Sequence, residues 1–351
     1  MSVMDEAGKG LTIWDNPKIS DIPSQLPDFM EKLGGPAIIR QDGLDRQRVR
    51  VVVTLLHGNE PSGAIAVHQL LLSGAKPRVD MVYLIVCVNT ALTEPLFTHR
   101  FLPGLRDMNR CFREPFEGQQ GLFACSILEY LGSLKAEAII DIHNTSGNGP
   151  AFSVCTHQLE RCYDIASLFT HRLIFNHIHL GALMEVTDFG CPIVTIECGG
   201  SHDPRSHQIA LEGLEKYVAV DELYHQMNHD EIDLYYHPVR LELAEGGTLT
   251  YADNPVPGID ITLPTHIDRR NFGVVLPDMP LAWVKEYAFD SLRVRDEQGR
   301  NVIEDYFTVE GGRLYVIEPL KLFMVTTDPL IARSDCILYA VKETDHQSLF
   351  T

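Results

Sequence analysis

The stretch Val49-Arg-Val-Val-Val-Thr-Leu-Leu-His57-Gly-Asn-Glu60-Pro-Ser-Gly63 decides how this chain folds. Its opening run, VRVVVTLL, is almost continuously apolar and β-branched. Such a run suits a strand covered on both faces, the habit of parallel sheets rather than of sheets with one wet face. The run stops at Leu56. Gly58 and Gly63 permit a tight turn, and a helical pattern begins near Ser62. The turn presents His57 and Glu60. Imidazole and carboxylate are a normal ligand pair for zinc, and open α/β sheets place their ligands at the carboxyl ends of strands. The pair reads either that way or as a solvated loop histidine beside a helix-capping glutamate.

Working outward, the same texture recurs. MVYLIVCV (81–88), AIIDIH (138–143), FSVCT (152–156) and IVTIEC (193–198) predict further buried strands. Helical patterns over 62–72, 121–134, 158–171 and about 203–227 fall between and after them. The alternation predicts an α/β sandwich on a mixed, largely parallel sheet. After about residue 233 the texture changes. Gly and Pro crowd into GGTLTY, NPVPGID and EGGRLYVIEP, and the apolar runs shorten. The expected organisation is an α/β domain over 1–233 and a smaller β-rich domain over 234–351.

Composition narrows the function classes. The formal net charge is −19, which repels nucleic-acid phosphates and anionic membranes. No stretch approaches the ~18–20 apolar residues of a membrane span. The first residues, MSVMDEAGKGLTIWDNP, lack a basic start and an apolar run, so the expected location is cytoplasmic. None of the eight cysteines forms a CxxC pair, and several lie inside apolar runs, which predicts buried thiols rather than disulfides or a cysteine metal site. With so acidic a chain, an anionic substrate needs local arginines. THRFLPGLRDMNRCF (98–112) supplies Arg100, Arg106 and Arg110, followed by Arg113, which reads as an ordinary surface ion-pair partner. Arginine forks suit carboxylate binding and oxyanion stabilisation.

Two more strand ends carry chemistry. IIDIHNTSG (139–147) delivers His143, a third candidate ligand. Asp141 lies two residues earlier and so on the same face of an extended strand, where it can orient an imidazole. PIVTIECGG (192–200) carries Glu197 toward the end of its apolar run. A carboxylate there is either satisfied by the Gly-Gly turn or used as a general acid and base. The remaining histidines lack a strand-end context and read as solvated or structural. His202 stands out among them only for its closeness to Glu197.

Together HGNEPSG, RDMNRCF, DIHNTSG and TIECGG, in that order, resemble the succinylglutamate desuccinylase/aspartoacylase family of the zinc carboxypeptidase superfamily. The motifs span roughly residues 50–200. The resemblance implies a zinc-carboxypeptidase-like α/β/α sandwich and one Zn²⁺ per chain on His57, Glu60 and His143. It implies a hydrolase that cleaves the amide bond of an N-acyl amino acid, with Glu197 as the base that activates water. It also implies that Asn109 and Arg110 bind the substrate carboxylate, with Asn144 assigned to the substrate beside them. Arg100 and Arg106 compete to polarise the scissile carbonyl. A zinc carboxypeptidase acting on small peptides would use the same residues, and an inactive binding protein would keep the fold. Position 187 is Thr187, with no arginine in 186–190, so the resemblance does not extend to N-acetylaspartate as substrate. The partner expected is a small carboxylate-bearing molecule, not nucleic acid or membrane, and a homo-oligomer is compatible with the chain.

Overall fold

The computed structural model describes residues 11–157, 159–224 and 232–348. The chain divides into two compact units. The first holds residues up to 144, 151–173 and 179–232; the second holds 145–150, 174–178 and everything from 233 on.

Through residue 200 the strands are β1 (Thr12–Asp15), β2 (Ala37–Gln41), β3 (Asp45–Thr54), β4 (Val79–Ile85), β5 (Ala138–Thr145), β6 (Phe152–Cys155), β7 (Arg172–Phe175) and β8 (Ile193–Gly200). They lie in the order β1-β2-β4-β3-β5-β8-β6-β7. β3 runs parallel to both β4 and β5, whereas β2/β4 and β6/β8 are antiparallel, so the sheet is mixed with a parallel centre. The helices are α1 (Leu26–Leu33), α2 (Ser62–Ser73), the one-turn α3 (Val88–Ala91), α4 (Gly118–Leu134), α5 (Leu159–Ala166) and α6 (Pro204–Ala219). β5 and β8 are buried at every residue, as their near-continuous apolar sequences require.

Strand order positions the site. The chain leaves β3 through α2 to β4 on one side and later returns to β5 on the other. The gap beyond the ends of β3 and β5 is therefore a topological switch point, where α/β sheets bind ligands. Thr54 pairs with Ile142, which brings the segment after β3 level with His143. Gly63 lets α2 start against both strands: a Cβ there would sit 2.1 Å from Thr54 Oγ1 and 2.9 Å from Ile142 Cβ.

Several elements differ from the sequence expectation. β1, β2 and α1 precede the region expected to form the sheet, β7 and the one-turn α3 fall between expected elements, and α5 ends at Ala166 rather than near 171. α6 ends at Ala219 rather than near 227, and residues 225–227 lie outside the described residues. The cause of the early stop is Arg50. Its buried guanidinium reaches from β3 to the carbonyls of Tyr217, Val220 and Asp221 at 2.7–2.8 Å, and Val220 turns extended. These bonds satisfy carbonyls that a continuing helix would have used.

The second unit is built on two five-stranded sheets. One orders Val274–Val275, Leu320–Phe323, Leu338–Lys342, Val239–Leu243 and Leu292–Arg295; the other orders Leu249–Tyr251, Ile261–Leu263, Ala282–Val284, Arg313–Val316 and Phe307–Glu310. Its core is aliphatic, centred on residues such as Leu249, Val294, Leu320 and Ile337. All eight cysteines are free thiols, and seven of them are buried. Among the described residues no helix is long and apolar enough to cross a membrane.

Candidate metal centre

His57 and Glu60 stand on the turn after β3, and the backbone there is constrained. Leu55 is buried with φ +60, a left-handed conformation that β-strand residues avoid. Gly58 approaches Thr90 and the His99 carbonyl so closely that a Cβ would fall 2.5 and 2.7 Å from them. Strain of this kind is held only where surrounding contacts impose it. The turn is thereby fixed facing the end of β5, which carries Asp141, His143 and Asn144.

His57, Glu60 and His143 each offer a ligand atom, and these atoms lie within 4.8 Å of one another. All three residues are buried. Glu60 Oε2 is 2.6 Å from His143 Nδ1, and Glu60 Oε1 is 2.9 Å from His57 Nδ1. On the far side of each ring a carboxylate waits. His57 Nε2 is 2.9 Å from Asp107 Oδ1, and His143 Nε2 is 2.7 Å from Asp141 Oδ2. Ionised carboxylates only accept, so each Nε2 donates and each Nδ1 is left for the centre of the cluster. This is the carboxylate–histidine arrangement that orients metal-bound imidazoles.

The donor set fits a zinc ion on its own geometry. His57 Nδ1 is buried and makes no hydrogen bond: it stands near Glu60 Oε1 without being aimed at it as a donor. Two imidazoles and one carboxylate are also the three-ligand set of catalytic zinc sites. The electrostatics agree. Burial opposes charge on both rings, and Arg100 adds to that at His57. The acids Asp107 and Glu60 at His57, and Asp141 and Glu60 at His143, outweigh it and raise both imidazoles, His143 well above the ordinary range. Burial would likewise raise Glu60 and Asp107. The rings of His57 and His143 hold Glu60 well below the usual carboxylate range, and His57 with Arg100 does the same for Asp107. A divalent cation takes the place of the two Nδ1 protons in such a set.

Glu197 sits near the end of β8, opposite Phe152 in the register of β6. It is buried, and its Oε2 has no hydrogen-bond partner. Burial pushes its carboxyl up to about 7, while the charges of His143 and His57 pull it down and those of Glu60 and Asp141 push it up. The Gly-Gly turn therefore does not satisfy this carboxylate. It is an uncommitted acid–base group within electrostatic reach of the cluster.

The arginine segment separates cleanly. Arg100 donates to Asp107 Oδ2 through Nε at 3.0 Å and approaches Glu60 Oε1 at 3.4 Å. Arg106 is exposed and bonds the Glu117 carbonyl at 3.0 Å. Arg110 Nη1 donates to the Asn109 carbonyl at 2.9 Å, and Asn109 Oδ1 accepts from Leu183 N–H at 3.0 Å. Asn144 N–H bonds Glu60 Oε2 at 3.2 Å, but both hydrogens of its side-chain amide are committed within the protein, to Ser62 and Gly199. That amide has no hydrogen left for a substrate.

Sequence reading missed Asp107. It accepts from His57, Arg100 and the Asn109 N–H, tying RDMNR to the ligand turn. Its only signal was membership of that motif, since one acid among many announces nothing. His202 is exposed; the histidine of α6 that reaches the site is His207, 2.8 Å from Ser62 Oγ.

Comparisons with known proteins point one way. Residues 49–219 match the family model described as the succinylglutamate desuccinylase/aspartoacylase catalytic domain. No curated protein sequence matches the chain. Among solved structures, the product-bound ectoine utilization protein EutE (DoeB) from Ruegeria pomeroyi superposes with a TM-score of 0.56 at 16% identity, covering 87% of this chain and 87% of that chain. A succinylglutamate desuccinylase from a Silicibacter species gives 0.54 at 17%, covering 87% and 88%. The succinylglutamate desuccinylase from Chromobacterium violaceum gives 0.53 at 13%, again covering 87% and 88%. At these identities the likeness is one of fold. The sequence match over residues 49–219 establishes that the chain carries a catalytic domain of the succinylglutamate desuccinylase/aspartoacylase family.

Proposed function

We propose that this protein is a zinc-dependent hydrolase that cleaves the amide bond of an N-acyl amino acid. The observation that carries the reading is the buried His57–Glu60–His143 cluster, with an acid behind each ring and an uncommitted Glu197 beside it. One zinc per chain would be held by those three residues. When bound, it supplies Lewis acidity toward water and toward an acyl carbonyl.

The chain's own groups do the rest. Glu197, kept poor in hydrogen bonds and raised by burial, takes a proton from the attacking water and gives it to the departing amine nitrogen. Arg100 is the arginine that meets the ligand set, which supports it over Arg106 as the donor to a developing oxyanion. Arg110, propped on the Asn109 carbonyl, takes the substrate carboxylate as a guanidinium fork, and Asn109 sets the loop that presents it. Asp107 and Asp141 keep His57 and His143 in the tautomer that leaves Nδ1 for the metal.

The test is a panel of N-acetyl and N-succinyl amino acids and short peptides, offered to the zinc-loaded protein. Release of free amino acid from an N-acyl amino acid is the expected result. Cleavage of peptides alone would make the protein a carboxypeptidase, and no cleavage of any member would sink the reading.

A further inference from the structure

Behind the ligand set three polar side chains form a line. Asn144 and Ser62 bond reciprocally: Asn144 Oδ1 accepts the Ser62 N–H at 3.0 Å, and Asn144 Nδ2 donates to Ser62 Oγ at 2.8 Å. The other Nδ2 hydrogen goes to the Gly199 carbonyl at 2.9 Å. Ser62 Oγ then lies 2.8 Å from His207 Nδ1. An amide nitrogen only donates, so Ser62 Oγ accepts from Asn144 and its single hydrogen is left to give. In the tautomer with the ring proton on Nε2, His207 Nδ1 accepts that hydrogen. Burial lowers the His207 imidazole, in keeping with a neutral ring.

What the line connects gives it meaning. Ser62 opens α2, two residues after the ligand Glu60. Asn144 follows the ligand His143 and bonds Glu60 through its backbone. Gly199 lies two residues after Glu197, at φ +104, where a side chain would be strained. His207 comes from α6, the helix after β8. Ser62 is wholly buried and Asn144 nearly so, so each bond they lose leaves a buried polar group unpaired.

We infer that Asn144, Ser62 and His207 form a positioning network that fixes the Glu197 strand end against the two ligand-bearing turns. The inference rests on the hydrolase reading above, in which the spacing between Glu197 and the ligands matters. None of the three touches the reacting atoms. They act through Glu60 and through the Gly199 turn.

The experiment uses His207→Ala, which removes the acceptor at the half-buried end of the line, and His207→Asn, whose Oδ1 stands where Nδ1 stood. In the zinc-loaded protein His207→Ala should lower kcat about 10-fold, as a small displacement of a catalytic group does. KM and zinc content should stay within about twofold, and His207→Asn should recover kcat. An unchanged kcat in His207→Ala, a loss carried by KM, or no recovery in a folded His207→Asn would overturn the network. If the wild-type protein cleaves no N-acyl amino acid, the hydrolase reading has failed and ¹⁵N NMR of the His207 ring decides the network separately. A proton on Nε2 with bare Nδ1 supports it, and a proton on Nδ1 overturns it.

Discussion

Asp107→Ala is the most informative single change, because one carboxylate joins three parts of the site. In the folded protein Asp107 accepts His57 Nε2 at 2.9 Å, Arg100 Nε at 3.0 Å and the Asn109 N–H at 2.9 Å. Removing it frees the His57 ring to rotate and to move its proton to Nδ1, the atom needed for the metal. Loss of an outer carboxylate of this type costs about 10–100-fold in metal affinity, or roughly 1.4–2.7 kcal/mol. Asp107→Asn separates the contributions. Its Oδ1 can still accept from His57 and Asn109, but its amide faces the Arg100 guanidinium donor to donor. It should therefore keep most of the zinc affinity while losing turnover through Arg100. The assay is zinc titration against a chromophoric chelator at fixed pH, with turnover measured on the same samples. A zinc Kd in Asp107→Ala within about twofold of wild type would refute the claim that this carboxylate holds His57 for the metal.

Other outcomes follow from the same geometry. Glu197→Gln should keep zinc bound and reduce hydrolysis by about 10²–10⁴-fold; near-wild-type turnover in that variant removes Glu197 from the mechanism. Because burial raises Glu197 to about 7, its base form is lost as pH falls. The acid limb of kcat/KM should lie at or below that pH, since a cation nearby favours the carboxylate, and a pH–rate profile with no acid limb contradicts this. Arg100→Ala should cost about 10²–10³-fold in kcat, and Arg106→Ala, bonded only to the exposed Glu117 carbonyl, should cost less than about twofold; steady-state kinetics showing the reverse order reassigns the oxyanion donor. Arg50→Ala leaves Glu137 without its 2.7 Å partner and uncaps the end of α6. A loss of about 3–5 kcal/mol is expected, visible as a fall in Tm on the order of 10 °C, and a Tm within a degree or two of wild type would show that the pair is dispensable.

How much could be read from the sequence depended on whether a residue's role was local. β3, β4, β5 and β8 were legible because strands covered on both faces write themselves as apolar runs. The His57–Glu60–His143 cluster was legible because both histidines stand where such a run stops, with Glu60 three residues beyond the first. Asp141 was legible from its two-residue offset from His143 alone. The short TIWD and AIIRQ segments of β1 and β2 gave no comparable signal; their strand character comes from pairing with each other and with β4. The end of α6 is set by Arg50, 167 residues away from Tyr217 in the chain, which no window of local sequence contains. Asp107 and His207 were illegible for the same reason: their partners His57 and Ser62 lie 50 and 145 residues distant. Asn144 came to notice only through the family resemblance, and its amide bonds to Ser62 and Gly199 come from segments 82 and 55 residues away.

The central claim is that His57, Glu60 and His143 hold one catalytic zinc. Metal analysis of the purified protein after zinc reconstitution and exhaustive dialysis tests it most directly, with His57→Ala/His143→Ala as the control. The account predicts about one zinc per wild-type chain and none retained by the double variant. A wild-type protein that retains no zinc, or a double variant that retains it fully, would contradict the account.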